Sequence, residues 1–154
     1  MLAVGADAPR FMAPSTRGEV DLAALLEEGP VVLYFFPRAM TGGCTAQALE
    51  FNQLLPEFEA LGATVVGASV DPVARLQRFR DKYGLGFHFV SDLDRGIGTA
   101  YGTLKGDLTT PHERDTVVVS KEGRILLAYR LVSARGHAAA VLTDMRRLRE
   151  EGHI

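Results

Sequence analysis

The chain has 154 residues, of which 47% are hydrophobic and 23% charged, with a formal net charge of -2 at pH 7. These values are typical of an ordinary globular domain, and they give no reason to expect nucleic acid or a membrane surface as a partner. Apolar runs such as residues 31–36 are too short to span a bilayer, and residues 1–10 do not have the pattern of a signal peptide. We therefore expect one domain over residues 1–154 and a cytoplasmic location.

Cys44 is the only cysteine. A lone cysteine cannot form an internal disulfide, so nothing in the chain requires an oxidising compartment. Gly96 and Gly98 do not form a dinucleotide-binding fingerprint, because no suitable strand–turn–helix unit surrounds them. The four histidines do not have metal-ligand spacing to one another or to the cysteine: His88, His112, His137 and His153. The sequence predicts no metal site and no dinucleotide site.

The hydrophobic pattern predicts strands and helices that alternate along most of the chain. After a turn-rich opening, strands are predicted over residues 31–36, 64–70, 87–90, 116–119 and 125–131. Helices are predicted over residues 44–61, 72–83, 94–101 and 137–150, the second with Asp71 as its N-cap and Pro72 as its first residue. The polar turn at residues 120–124 predicts a β-hairpin. This order favours an α/β fold with a central mixed β-sheet flanked by helices.

Cys44 is predicted to lie in the first turn of the helix that follows the first buried strand. Pro37 ends that strand, and Thr41 is a candidate N-cap. Gly42 and Gly43 leave the backbone open to a small molecule. Free N–H groups and the positive end of the helix dipole favour a thiolate, which is the nucleophilic form of cysteine. By this setting alone, a reactive cysteine and a buried structural one are about equally well supported.

Residues 32–45 resemble the active-site segment of the peroxiredoxins, and most of all that of the PrxQ branch, also called bacterioferritin-comigratory proteins. The family pattern of Pro, three residues, Thr, two residues and Cys is met by Pro37, Thr41 and Cys44. Similar segments follow in the family's order at residues 4–11, 66–71, 79–85, 91–94, 100–102 and 114–119. The resemblance implies a thioredoxin-like fold with the peroxiredoxin N-terminal extension and an inserted segment around residues 72–101.

The same resemblance implies a thiol-dependent peroxidase that reduces hydrogen peroxide or organic hydroperoxides without a metal or organic cofactor. The Cys44 thiolate would attack one peroxide oxygen and become a sulfenic acid. Arg114 would stabilise the thiolate and hold the peroxide, and the Thr41 hydroxyl would hydrogen-bond both. Backbone N–H groups around Gly43 would offset charge that develops on the oxygens. Pro37 completes the implied set of catalytic residues.

Three positions depart from the family's usual pattern. Leu49 stands where PrxQ proteins often carry a second cysteine, so the sulfenic acid would have to be reduced by an external thiol or by a thioredoxin- or glutaredoxin-like protein. Gly42 stands where a proline is common, and Gln47 where many members have a glutamate that helps to position an arginine. The implied partners are thus a peroxide and an external reductant, and both a monomer and a homodimer stay open.

Two other functions remain open. A peroxide-responsive redox sensor or thiol-binding module with little turnover would also use Cys44 and would need no second cysteine. A Cys-His hydrolase would need a histidine that activates Cys44, and it would gain nothing from Arg114. His112 is the strongest candidate for a catalytic histidine because it lies close in sequence to Arg114.

Overall fold

The computed structural model describes residues 1–104, 106 and 110–154. Within those residues the strands are β1 (Met12–Ser15), β2 (Gly18–Asp21), β3 (Val31–Phe35), β4 (Thr64–Ser69), β5 (His88–Ser91), β6 (Thr116–Val119) and β7 (Ile125–Tyr129). The helices are α1 (Leu22–Glu28), α2 (Gly42–Ala60), α3 (Val73–Tyr83), α4 (Gly96–Tyr101) and α5 (His137–Glu150). None of these helices is long and apolar enough to cross a membrane.

All the strands form one mixed sheet in the order β2-β1-β5-β4-β3-β6-β7. Strand β3 pairs in parallel with β4 and antiparallel with β6, and β6 and β7 form the predicted antiparallel hairpin. Every residue of β3 is buried, which is why this strand is apolar at each position and does not alternate with polar residues. The predicted α/β fold with a central mixed sheet is confirmed.

The side chains of β3 alternate between two hydrophobic layers, one on each face of the sheet. Val32 and Tyr34 join the layer that holds Cys44, together with residues of α2 and α5 such as Phe51 and Val141. Val31, Leu33 and Phe35 join the opposite layer with residues of α1 and α4, among them Leu22, Leu26 and Tyr101. We call these the Cys44 layer and the Leu26 layer. Helices therefore cover both faces of the sheet.

The N-terminal part of the chain is more regular than its sequence predicts. Strands β1 and β2 form an antiparallel hairpin, and helix α1 follows directly. Each strand has only four residues, and β1 contains Pro14, so the alternation of buried and exposed residues is too short to stand out. Helix α1 has seven residues and is capped by Asp21, whose side chain accepts from Ala23 N. Its two buried leucines are one turn apart.

The start of α3 differs from the prediction. Pro72, in extended conformation, is the N-cap, and the helix begins at Val73. Asp71 therefore lies one position before the N-cap, where the following proline favours an extended backbone. Its buried carboxylate contacts the loop before α2 instead. The other predicted elements agree with the structure to within about two residues at each end, which is the usual uncertainty of such bounds.

Candidate active site

Cys44 lies where the chain leaves the middle of the sheet and enters α2. Thr41 occupies the N-cap with φ -87° and ψ 158°, so Cys44 is the third residue of the helix. The first backbone N–H groups of a helix have no intrahelical partner, and they place partial positive charge around this position. The cysteine is 2% exposed and packs into the Cys44 layer. A thiolate here is held by the helix end and largely screened from bulk water.

Arg114 is brought to the cysteine by the sheet. Its Nη2 donates to Cys44 Sγ at 3.5 Å, and its Nη1 donates to Gln47 Oε1 at 2.7 Å. The planar guanidinium thus holds the thiol and the amide with its two terminal nitrogens. No ion pair among the described residues involves Arg114. Its positive charge is therefore available to the sulfur.

Gln47 stands where many family members have a glutamate that helps to position an arginine, and in this chain it too hydrogen-bonds Arg114. Its side chain is fully buried one turn after Cys44, and its carbonyl oxygen accepts from Arg114. The amide nitrogen Nε2 has no hydrogen-bond partner among the described residues. Gln47 therefore fixes the guanidinium without adding a negative charge that would compete with the thiolate.

The residues before Cys44 have the expected places but different contacts. Pro37 is half-buried just after β3, and Thr41 is exposed at the N-cap. The Thr41 hydroxyl donates to Arg38 O at 2.8 Å and makes no capping hydrogen bond, so the predicted side-chain cap is not formed. A Cβ on Gly43 would stand 3.1 Å from Arg114 Nη2. The absent side chain at Gly43 gives room to the guanidinium.

Two further side chains of the site were not singled out from the sequence. His137, at the start of α5, is buried and lies with its Nε2 2.8 Å from Thr116 Oγ1. Burial, and after it the Arg114 charge, lower the pKa of His137 to about 4. A histidine at a helix start is usually solvated, so its sequence position carried no signal of this environment.

Tyr34 lies in β3 and shares the layer of Cys44, where its ring stacks on Phe51 with centroids 4.5 Å apart. Burial raises the pKa of Tyr34 well above its ordinary value, and the nearby Cys44 raises it further, whereas Arg114 acts in the opposite sense. Its hydroxyl has no hydrogen-bond partner within the described part of the chain. In the sequence this tyrosine is hidden within a continuous apolar run.

His112, the strongest candidate for a catalytic histidine, belongs to the other face of the sheet. Its ring is fully buried against Phe35 of the Leu26 layer, with centroids 5.1 Å apart. Nε2 lies 2.8 Å from Asp92 Oδ2, and Nδ1 lies 3.3 Å from Ala68 O. Since both ring nitrogens are engaged there, His112 cannot activate Cys44, and the hydrolase alternative loses its strongest candidate histidine. Among the described residues, no group of His, Cys, Asp and Glu could hold a metal ion.

A thiol at a helix start within hydrogen-bond distance of an arginine is the arrangement that the resemblance assigns to the thiol peroxidases. The family model described as AhpC/TSA matches residues 4–128. The peroxiredoxin Bcp of Xanthomonas campestris is 40% identical over 121 residues, which cover 75% of this chain and 76% of that protein. A putative peroxiredoxin of Mycobacterium tuberculosis is 38% identical over 149 residues, or 94% of this chain and 95% of that protein. The chain therefore belongs to the AhpC/TSA family.

Solved structures lead to the same branch of this family. Peroxidoxin BcpB from Mycobacterium tuberculosis superposes with a TM-score of 0.91 at 32% identity, over 97% of this chain and 99% of that one. A structure that concerns alkyl peroxide reduction by the Xanthomonas campestris bacterioferritin comigratory protein gives a TM-score of 0.84 at 34% identity, over 89% and 90%. The chain is a PrxQ-like peroxiredoxin, a thiol-dependent peroxidase with a thioredoxin-like fold.

Proposed function

We propose that this chain, acting as one domain, reduces hydroperoxides with Cys44 as its peroxidatic residue and with an external thiol as its reductant. One observation carries the proposal: the only sulfhydryl of the chain lies at a helix start, 3.5 Å from the guanidinium of Arg114. A cation and a helix N-terminus both stabilise the thiolate relative to the thiol, and the thiolate is the form that attacks a peroxide. Organic hydroperoxides are included because a similar protein is associated with alkyl peroxide reduction.

In the first step, the Cys44 thiolate attacks one oxygen of a hydroperoxide, ROOH. A sulfur–oxygen bond forms as the oxygen–oxygen bond breaks, so sulfur is oxidised and the peroxide is reduced. The departing alkoxide takes up a proton and leaves as ROH, or as water when R is hydrogen. Cys44 is left as a sulfenic acid.

The neighbours of Cys44 supply charge and orientation for this displacement. Arg114 hydrogen-bonds the thiolate and the peroxide oxygens, and it offsets the negative charge on the leaving oxygen. The N–H groups at Gly43 and Cys44 act in the same way. The Thr41 hydroxyl donates to Arg38 O in this structure, so it must release that hydrogen bond before it can donate to the peroxide. Pro37 fixes the chain direction at the start of the loop.

The second half of the cycle requires another molecule. Leu49 stands where a second cysteine is common in the branch, and it is 42% exposed on α2. An external thiol attacks the Cys44 sulfenic acid, which releases water and forms a mixed disulfide. A second thiol then releases the Cys44 thiolate and a disulfide product. A low-molecular-weight thiol or a thioredoxin- or glutaredoxin-like protein of a reducing compartment, such as the cytoplasm, fits this step.

A redox sensor is the second candidate function, since the absence of a second cysteine fits it equally well. The hydrolase is disfavoured: among the described residues, the hydrogen-bond partner of Cys44 is Arg114. The buried His137 is bound to Thr116, and the burial that lowers its pKa opposes the charged form that a general base must reach. Sustained turnover with a thiol donor distinguishes a peroxidase from a redox sensor.

The test is steady-state peroxide consumption by wild type and by Cys44→Ser, each supplied in turn with glutathione, another small thiol and a thioredoxin system. We expect sustained consumption by wild type with at least one donor and none above background with Cys44→Ser. Oxidation of Cys44 that stops after a single turnover with every donor would favour the sensor. Equal consumption by the two proteins would rule out both functions.

A further inference from the structure

The loop that leads into the active-site helix is held by its backbone at one residue. Ala39 N donates to Asp71 Oδ2 at 2.7 Å, and Ala39 O accepts from Arg75 Nη2 at 2.8 Å. Both backbone groups of Ala39 are thus bound by side chains 32 and 36 residues further along the chain. Ala39 itself is fully buried. Contacts of this kind fix both the place and the rotation of a peptide segment.

Asp71 and Arg75 are also bound to each other, so they act as one unit. Arg75 Nε lies 3.2 Å from Asp71 Oδ1 and forms an ion pair with it but no hydrogen bond, and the two residues are four positions apart in the chain. The Asp71 carboxylate is 5% exposed and also accepts from Ser69 Oγ at 2.6 Å. Hydrogen bonds that involve charged groups are stronger than neutral ones, and burial of the carboxylate limits competition from water. We call this pair the Ala39 clamp.

The residue that follows Ala39 has an unfavourable backbone conformation. Met40 has φ 67°, in the left-handed region that residues with a Cβ normally avoid. Such a conformation persists only where surrounding contacts hold it. Met40 precedes Thr41, the N-cap of α2, and Cys44 follows in the first turn. A shift of Met40 out of this conformation would move the whole start of the helix.

We propose that Asp71 and Arg75 are positioning residues of the peroxidase, which hold Ala39 and the strained Met40 and thereby set the start of α2 on which Cys44 reacts. This inference rests on the proposed function for its catalytic consequence. The clamp does not touch the reacting atoms. It acts by keeping Thr41, the first N–H groups of α2 and the sulfur in one arrangement, since small displacements in such a site are costly for the rate.

The test compares two substitutions of the same type on the same helix. Arg75→Met removes the donor to Ala39 O, whereas Arg78→Met removes the same charge from an exposed residue three positions later. Two rates are measured for each: Cys44 oxidation by peroxide in stopped flow, and Cys44 alkylation by iodoacetamide without peroxide. We expect Arg75→Met to slow oxidation by about tenfold and to speed alkylation, because the freed loop uncovers a buried sulfur. Arg78→Met should match wild type in both.

A further control separates local opening from general destabilisation. Leu26→Ala creates a cavity in the opposite layer, with an expected loss of about 2–5 kcal/mol in unfolding free energy, and leaves the loop intact. Its alkylation rate should stay at the wild-type value. The double variant Asp71→Asn/Arg75→Met should be no more reactive toward iodoacetamide than the more reactive single variant, because both changes release the same loop.

Equal alkylation of the Arg75→Met and Arg78→Met proteins would overturn the clamp, as would equal alkylation of Arg75→Met and Leu26→Ala. Additive effects of the Asp71 and Arg75 changes would also contradict it. If wild type is not oxidised by peroxide while the alkylation contrast is present, then the proposed function fails and the clamp stands. The two claims are thus distinguished by separate measurements.

Discussion

Arg114 Nη2 and Cys44 Sγ lie 3.5 Å apart although 70 positions separate the two residues in the chain. The contact follows from the sheet, in which β3 and β6 run antiparallel and Tyr34 pairs with Thr116. The chain passes from the end of β3 to Cys44, and Arg114 comes just before the start of β6. Antiparallel pairing places that end and that start at the same edge, so the fold itself joins the nucleophile to its cation.

The first prediction concerns this contact. Arg114→Met should slow the oxidation of Cys44 by about a hundredfold, because a charge-assisted hydrogen bond to the reacting atoms is lost. The oxidation rate of Arg114→Lys should lie between those of Arg114→Met and wild type. Lysine keeps the charge but cannot hold Cys44 and Gln47 with two nitrogens at once. Stopped-flow oxidation at fixed pH measures both. A wild-type rate for Arg114→Met would remove the arginine from the mechanism.

The second prediction concerns charge at Gln47. In Gln47→Glu, a carboxylate on Arg114 would compete with the thiolate for the positive charge. The pH midpoint of Cys44 alkylation should therefore move upward, and oxidation at neutral pH should slow several-fold. Gln53→Glu introduces the same charge at an exposed position of the same helix and serves as the control. An unchanged midpoint in Gln47→Glu would show that the neutral amide is irrelevant to the thiolate.

The third prediction compares two neighbouring glycines. In Gly43→Ala the new Cβ would stand 3.1 Å from Arg114 Nη2, so the guanidinium must move, and oxidation of Cys44 should slow. A Cβ at Gly42 meets nothing within 4 Å, so Gly42→Ala should keep the wild-type rate. Thermal unfolding of both variants checks that neither change unfolds the protein. Equal rates for the two variants would contradict the close approach of Arg114.

The fourth prediction is a pH dependence of stability. The pKa of His137 is lowered from 6.5 to about 4 in the folded protein, so the unfolded chain takes up the proton first as the pH falls. The contribution of His137 to the free energy of unfolding is complete above pH 6.5 and is lost as the pH falls through about 4. It amounts to about 3 kcal/mol at most.

His137→Gln keeps a polar partner for Thr116 but cannot titrate. Between pH 7 and pH 5, wild type should lose about 1–2 kcal/mol more unfolding free energy in urea than this variant. His88, whose pKa is lowered chiefly by burial, titrates in both proteins, so its effect cancels in the comparison. Equal losses in the two proteins would mean that His137 titrates normally in the fold.

The elements that could be predicted are those with long, strong patterns. Strand β3, apolar at every position, and α5, with its apolar stripe, belong to the centre of the fold and bury what their sequences indicate. The N-terminal hairpin was missed because four-residue strands carry little periodicity. Thr41 has the predicted place but a different hydrogen bond, since a hydroxyl can choose among several nearby acceptors.

Parts of the site depend on tertiary contacts that no local pattern encodes. Asp71 and Pro72 resemble a helix start, yet the carboxylate turns to Ala39, 32 residues earlier in the chain. His112 is near Arg114 in sequence but lies on the other face of the sheet, because side chains a few residues apart can be directed to opposite layers. The approach of Tyr34 to the cysteine, and of His137 to Arg114, also depends on the packed sheet.

A single-turnover experiment tests most directly whether the sulfur of Cys44 accepts an oxygen atom from the peroxide. Wild type is mixed with one equivalent of peroxide and trapped with a sulfenic-acid reagent, and the modified residue is located by peptide mass spectrometry, with Cys44→Ser treated in parallel. We predict one oxygen transferred to Cys44 per peroxide consumed, and no rapid consumption by Cys44→Ser. Oxidation that appears at methionines while Cys44 stays a thiol, or equal peroxide consumption by both proteins, would show that Cys44 is not the peroxidatic residue.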